Sequence, residues 1–312
     1  MAKIAALFPG QGSQRVGMGH DLAERWPVAA EVFSRVDRGL GSELSELCWN
    51  GPEEALRLTE NTQPALLAHS TAAWSVLEAA GLEVDAVAGH SLGEYSAIVA
   101  MGGLEIEDAA RTVRTRGRLM QEAVPVGEGA MGAVIGLADD EVETACREEE
   151  IAGGGTVVAV NFNSPGQVVI AGSAAAVAGA SERCKARGAK RVLPLPVSAP
   201  FHSPLMAPAR KGLEPTLRRL DFQELAAPLF RNIDASAVGA PEEVREGLIR
   251  QVDTPVLWAE IVRRMRAEGF DTFVEVGTGS VLCGLVRRID REAVCFPAGT
   301  VETVETVIAE LV

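Results

Sequence analysis

Gly89-His90-Ser91-Leu92-Gly93 is a G-x-S-x-G pentapeptide in which a serine hydroxyl could act as a covalent nucleophile. An apolar run, Val84 to Ala88, precedes it and reads as a buried strand. Glu94 to Met101 follows and suits a helix that stops at Gly102-Gly103. Strand, sharp turn and helix would lift the Ser91 hydroxyl clear of a sheet edge, at the positive end of a helix where backbone N–H groups can meet an oxyanion. Glycine two places to either side suits a turn too tight for side chains. By itself the pentapeptide also fits a glycine-rich turn with an incidental serine, so it suggests acyl chemistry without proving it.

A serine hydroxyl needs a base within hydrogen-bond reach. Of the four histidines, His20 lies in an early polar turn, His69 on an apolar helix that reads as core, and His90 inside the turn itself. His202 remains. Prolines at Pro200 and Pro204 bracket it and fix its backbone in a rigid loop. No acidic residue near His202 stands out as its orienting partner. Arg111, Arg114 and Arg118 share one face of a helix Ile106–Glu122 by i, i+3, i+7 spacing, whereas Arg116 can point elsewhere, toward the serine turn.

Several elements must hold these groups. Ile4–Phe8 reads as a first strand emptying into the glycine-rich loop Pro9–Gln14, which lacks the lysine of a P-loop and the spacing of a dinucleotide fingerprint. Helices are expected at Asp21–Arg38, Leu44–Trp49 and Gln63–Ala80. From Gly129 the rhythm becomes β-α-β-β-α-β: strands at Ala130–Leu137, Thr156–Asn161, Gln167–Ala171 and Lys190–Pro196, helices at Asp139–Ile151 and Ser173–Arg187. That order is a ferredoxin-like α+β unit. The reading is an α/β fold: a large α/β-hydrolase-like domain with a parallel sheet core, residues 1–125 and 198–312, carrying an inserted small ferredoxin-like subdomain, residues 126–197, with seams near Pro125 and Ser198. The return leg is read as a short strand Pro228–Asn232, helices Pro241–Arg250 and Val256–Glu268, a last buried strand Thr272–Val276, and helices Val281–Ile289 and Val301–Leu311.

Composition narrows the function classes. The formal net charge of −14 argues against non-specific nucleic-acid binding and against anchoring to an anionic membrane. No run of eighteen apolar residues occurs, and the apolar stretch Ile4–Phe8 is too short for a signal peptide. The five cysteines are scattered without a C-x-x-C pair, so neither a disulfide framework nor a zinc site is expected, and a reducing cytoplasm fits. Basic residues do cluster at Lys185–Arg191, Arg263–Arg266 and Arg287–Arg288.

Seven motifs in order then carry a resemblance across nearly the whole chain: Phe8–Gln14 (F-P-G-Q-G-S-Q), Gly89–Ala97 (G-H-S-L-G-E-Y-S-A), Arg116–Gln121 (R-G-R-L-M-Q), Asn161–Ile170 (N-F-N-S-P-G-Q-V-V-I), Pro200–Ser203 (P-F-H-S), Gln251–Val256 (Q-V-D-T-P-V) and Val274–Gly277 (V-E-V-G). The sequence resembles the malonyl-CoA:acyl carrier protein transacylases. It departs from them at Thr278 and Ser280, where the family more often has proline and lysine; this bears on loop shape or partner contacts only. The resemblance implies Ser91 as nucleophile and His202 as base, with the histidine oriented by the backbone carbonyl of Gln251 rather than by an acid. It implies an oxyanion hole from the N–H groups of Gln11 and Leu92, Arg116 as a bidentate partner of the malonyl carboxylate, and Met120 and Phe201 as pocket lining. Phenylalanine before the histidine and Leu92 after the nucleophile resemble the malonyl-selective pattern, and Asn161 and Asn163 are expected near the cleft. Malonyl-CoA and an acyl carrier protein are the implied substrates, with no cofactor or metal and a monomeric enzyme. A basic patch at Arg287-Arg288 or Lys185–Arg191 is the expected dock for an acidic carrier. The rival readings are a discrete polyketide acyltransferase, a proofreading serine acyl hydrolase on the same scaffold, and a non-catalytic docking subunit.

Overall fold

The computed structural model describes residues 3–197 and 199–312; Ser198, one expected seam, lies outside them. Among the described residues ten strands form two sheets: β1 (Lys3–Phe8), β2 (Ala86–Gly89), β3 (Gly129–Ile135), β4 (Val157–Ser164), β5 (Gln167–Ser173), β6 (Arg191–Pro194), β7 (Leu229–Phe230), β8 (Ala237–Val238), β9 (Phe270–Val276) and β10 (Val294–Ala298). The larger sheet runs β10-β9-β1-β2-β7-β8 and is parallel except for the short β7–β8 pair. Its central strands β1 and β2 are apolar on both faces, as a sheet covered by helices on two sides requires. The second sheet, β4-β5-β3-β6, is wholly antiparallel. The helices Asp139–Ile151 and Ala174–Ala186 pack on it around a hydrophobic core of its own that includes Val134, Val142, Val168 and Ile170.

Register places the chemistry. Phe8 on β1 is level with Gly89 on β2, so both strands end together and their loops emerge side by side. The His90 N–H donates to the Phe8 carbonyl at 2.9 Å and joins the two loops. Ligands of open parallel sheets bind at this edge, beyond the carboxyl ends of the strands. The turn after β2 allows no side chain at either flank. A Cβ on Gly89 would lie 1.9 Å from the Gly93 carbonyl carbon, and one on Gly93 would lie 2.0 Å from the Phe8 carbonyl oxygen. Two backbone hydrogen bonds tie the second sheet to the segment that leads into the helix Trp258–Ala267: Val256 N–H to Val160 O at 2.8 Å and Phe162 N–H to Val256 O at 3.0 Å.

The element order β3, helix, β4, β5, helix, β6 is the one read from the sequence. Other expectations need correction. The long early helix is two, His20–Arg25 and Pro27–Leu40, because Trp26 precedes a proline and takes an extended backbone. The helix expected from Gln63 starts at Thr59 and runs to Ala80. Strand β10 was not anticipated, since Pro297 breaks the apolar run; it is an edge strand, where a proline is tolerated. No disulfide framework is expected from the scattered cysteines, yet one pair does join. Cys283 and Cys295, twelve residues apart, are joined in a disulfide because the helix Val281–Ile289 and β10 lie against one another.

Candidate active site

Ser91 heads the turn between β2 and the helix Gly93–Ala100 with φ 52°, a left-handed conformation that a non-glycine residue adopts at a cost. His202 is also left-handed, with φ 64°. Strain at both residues of one pair is characteristic of groups held for chemistry rather than for stability. Their side chains meet, with Ser91 Oγ 2.7 Å from His202 Nε2. On the far side of the ring, Nδ1 lies 2.9 Å from the backbone carbonyl of Gln251. A carbonyl only accepts, so Nδ1 carries the proton and Nε2 is left to accept from the serine hydroxyl. Burial, together with the neighbouring Arg116 guanidinium, lowers the His202 pKa to about 3 and keeps the imidazole neutral.

Arg116 enters the same site from the helix Ile106–Glu122 and is only 1% exposed. Nη2 donates to Ser91 Oγ at 3.1 Å and to Gln251 Oε1 at 2.9 Å; Nη1 donates to Gln63 Oε1 at 2.9 Å. The guanidinium also lies 5.7 Å from the Tyr95 ring centroid. Among the described residues no carboxylate contacts it directly. The nearest carboxyl is Glu94, one residue removed: it accepts from the Gln251 side-chain amide, and its other oxygen accepts from the Asn232 N–H at 2.6 Å. Burial raises the Glu94 pKa to about 8, against the pull of those donors and of Arg116. Asn232 clamps the turn from beneath. Its Oδ1 accepts from the Ser91 N–H and its Nδ2 donates to the Gly89 carbonyl, both at 2.7 Å.

Ser91, Leu92, Gln11, Arg116, Met120, Phe201 and His202 all border one pocket, and Gln251 sits behind the histidine. Among the described residues the backbone N–H groups of Gln11 and Leu92 donate to no acceptor, which leaves both available to an oxyanion. Asn161 and His90 also border the pocket, but Asn163 does not; its Oδ1 meets His90 Nε2 at 2.8 Å. His69 is buried with Nε2 on the Gly299 carbonyl at 2.9 Å, and His20 is exposed beside Glu24, both remote from Ser91. The sequence reading missed Gln63, Glu94, Asn232 and the side chain of Gln251, and also the wall from the antiparallel sheet, Met131, Leu195 and Val197. Polar side chains inside otherwise apolar elements were the available signal, at Gln63 and Glu94. Two of the basic clusters are partly occupied by the chain's own acids, Lys185 with Glu182, Arg187 with Glu141 and Glu148, and Arg266 with Asp271 and Asp290, whereas at Arg287-Arg288 the Arg288 guanidinium donates to Gln167 Oε1.

Residues 6–306 match the family described as the acyl transferase domain. The chain is 45% identical over 311 residues to the malonyl CoA-acyl carrier protein transacylase of Bacillus subtilis, spanning 100% of this chain and 98% of that one. Among solved structures it is similar to an acyl carrier protein S-malonyltransferase from Vibrio cholerae, with 47% identity, a TM-score of 0.95, and 98% and 100% of the two chains covered. It is equally similar in shape, with a TM-score of 0.95, 44% identity and 99% of both chains covered, to a malonyl-transacylase solved in complex with its type II polyketide acyl-carrier protein.

Proposed function

This chain belongs to the acyl transferase family, among the malonyl CoA-acyl carrier protein transacylases, and on that premise we propose how its pocket carries a malonyl group from coenzyme A to a carrier thiol. The enzyme is an acyltransferase. Ser91 Oγ attacks the thioester carbonyl while His202 Nε2 takes the hydroxyl proton, and the oxyanion that forms is held by the Gln11 and Leu92 N–H groups. Collapse breaks the carbon–sulfur bond, and His202 returns the proton to the departing thiol, leaving a malonyl ester on Ser91. The carrier's phosphopantetheine thiol then repeats the sequence in reverse, and Ser91 is restored.

The single observation that carries the malonyl reading is a fully buried guanidinium 3.1 Å from the nucleophile. A pocket for a neutral acyl chain would gain nothing from desolvating a cation there, whereas a malonyl group brings a carboxylate to pair with it. Met120 and Phe201 close the apolar side of the pocket.

The chemistry calls for no cofactor or metal, and the protein acts as a cytoplasmic monomer in fatty acid biosynthesis. Among the described residues no helix is long and apolar enough to cross a membrane. The strand order β4-β5-β3-β6 and its separate core support residues 126–197 as a ferredoxin-like subdomain inserted in a hydrolase-like domain of residues 1–125 and 198–312. A polyketide carrier is the second reading, favoured by the relative bound to such a carrier.

The test is intact mass after brief exposure to malonyl-CoA, followed by carrier protein bearing its phosphopantetheine arm. The adduct is expected to persist until the carrier is added and then to appear on the carrier. Decay to free malonate at the same rate without carrier would make the protein a hydrolase instead.

A pH prediction follows from the buried base. An unperturbed histidine, with a pKa of about 6.5, would be mostly protonated at pH 5 and would slow acylation roughly thirtyfold. With its pKa lowered to about 3, His202 stays neutral throughout, and Glu94, raised to about 8, keeps one protonation state between pH 5 and 7. Quenched-flow acylation rates are therefore expected to be flat across that window. A tenfold fall by pH 5 in folded enzyme would count against this environment for His202.

A further inference from the structure

The side chain of Gln251 does something its backbone carbonyl does not. Nε2 donates to the Ser91 carbonyl at 2.9 Å and to Glu94 Oε2, while Oε1 accepts from Arg116 Nη2 at 2.9 Å. A carboxamide fills almost the same space in either of its two orientations, so the hydrogen-bond partners decide which one is adopted. Here two acceptors lie on one side and a donor on the other. The Ser91 carbonyl is fixed by the turn. Glu94 is the remaining determinant, held through its other oxygen by the Asn232 N–H at 2.6 Å and wholly enclosed in the core.

We propose that Glu94 is a positioning residue for acyl selection: it locks the Gln251 amide with its oxygen toward Arg116 and so aims the guanidinium into the acyl pocket. The inference rests on the reading of Arg116 as the partner of the malonyl carboxylate. Both groups that face the Glu94 carboxyl, the Asn232 N–H and Gln251 Nε2, only donate, and a carboxyl can accept both because each of its oxygens keeps a lone pair even when one carries a proton. An amide at position 94 cannot. In either orientation it would set an NH2 against one of those donors, and relief comes from turning the Gln251 amide over. That turn would put an NH2 against the Arg116 guanidinium and remove one of its two amide acceptors. The His202 ring would keep its partner, because the carbonyl that holds Nδ1 belongs to the backbone. The damage should therefore fall on recognition of the carboxylate more than on the Ser91–His202 pair.

The experiment compares the initial rates of acyl-enzyme formation from malonyl-CoA and from acetyl-CoA, by intact mass, in wild type, Arg116→Ala, Glu94→Gln and Gln251→Met. The malonyl-to-acetyl ratio is expected to fall at least tenfold in Glu94→Gln and in Gln251→Met. A purely structural role would lower both rates together and leave the ratio alone, and a ratio within twofold of wild type in Glu94→Gln overturns the proposal. Should Glu94→Gln not fold, Gln251→Met decides by the same criterion, because it cuts the same link from its other end. Wild type that gains no malonyl adduct, or Arg116→Ala with an unchanged ratio, would instead overturn the reading of Arg116. Those controls separate the two failures.

Discussion

Replacing Ser91 with alanine is expected to abolish the malonyl-enzyme and to lower transfer to carrier protein by about 10⁵–10⁶, the scale on which a serine nucleophile's loss is felt when base and oxyanion donors remain. The loss is this large because the two-step route disappears altogether. His202 would have no hydroxyl to deprotonate, and the malonyl thioester and the carrier's thiol would have to meet directly at one narrow pocket. The Gln11 and Leu92 N–H groups and Arg116 would survive, so malonyl-CoA should still bind. Alanine keeps the Cβ that Ser91 already carries at φ 52°, so the strain of the turn is unchanged and the variant should remain folded. Intact mass and a binding titration on the same preparation separate the outcomes. A stoichiometric adduct on the alanine variant would mean that another side chain is the nucleophile.

Arg116→Ala should have the second largest effect, on malonyl transfer in particular. Truncating one partner of a buried, hydrogen-bonded charge pair costs about 2–5 kcal/mol; taking about 3–4, kcat/KM for malonyl-CoA falls by about 10²–10³. Acetyl-CoA offers no carboxylate and loses no such pair. Its acylation has a reason to fare better, since the Arg116 charge is one of the causes holding His202 below its ordinary pKa and its removal strengthens the base. The malonyl-to-acetyl ratio should therefore collapse. Equal losses for the two substrates would mean that Arg116 serves the architecture of the pocket and not the acyl carboxylate.

The parts of the site legible in the sequence are those whose geometry is written locally. The turn at Gly89–Gly93 is contiguous, and its flanking strand and helix follow from periodicity. The alternating order of the second sheet was legible because that unit closes its own core, as Val134, Val142 and Ile170 show. His202 emerged by elimination and the direction of Arg116 from helix spacing, whereas Gln251 and the role of Arg116 came only through family resemblance. Gln63, Glu94 and Asn232 were opaque for one physical reason. Each acts by a hydrogen bond spanning 53 residues or more, Gln63 to Arg116, Glu94 to Asn232 and Asn232 to Ser91, and no local pattern encodes such a partner. The disulfide between Cys283 and Cys295 was hidden by the same limit, compounded by the unanticipated β10.

The division of the pocket wall has a consequence for how this enzyme can change. Met131 lies on β3, and Leu195 and Val197 follow β6, so one side of the cleft is furnished by the antiparallel sheet. Ser91, Arg116 and His202 all come from elsewhere in the chain. Mutation can thus reshape the room available to the acyl group on one side without touching the residues proposed for catalysis and carboxylate binding on the other. A lineage built this way can drift in substrate range through a few apolar exchanges, each reversible, while its reaction stays under strict selection.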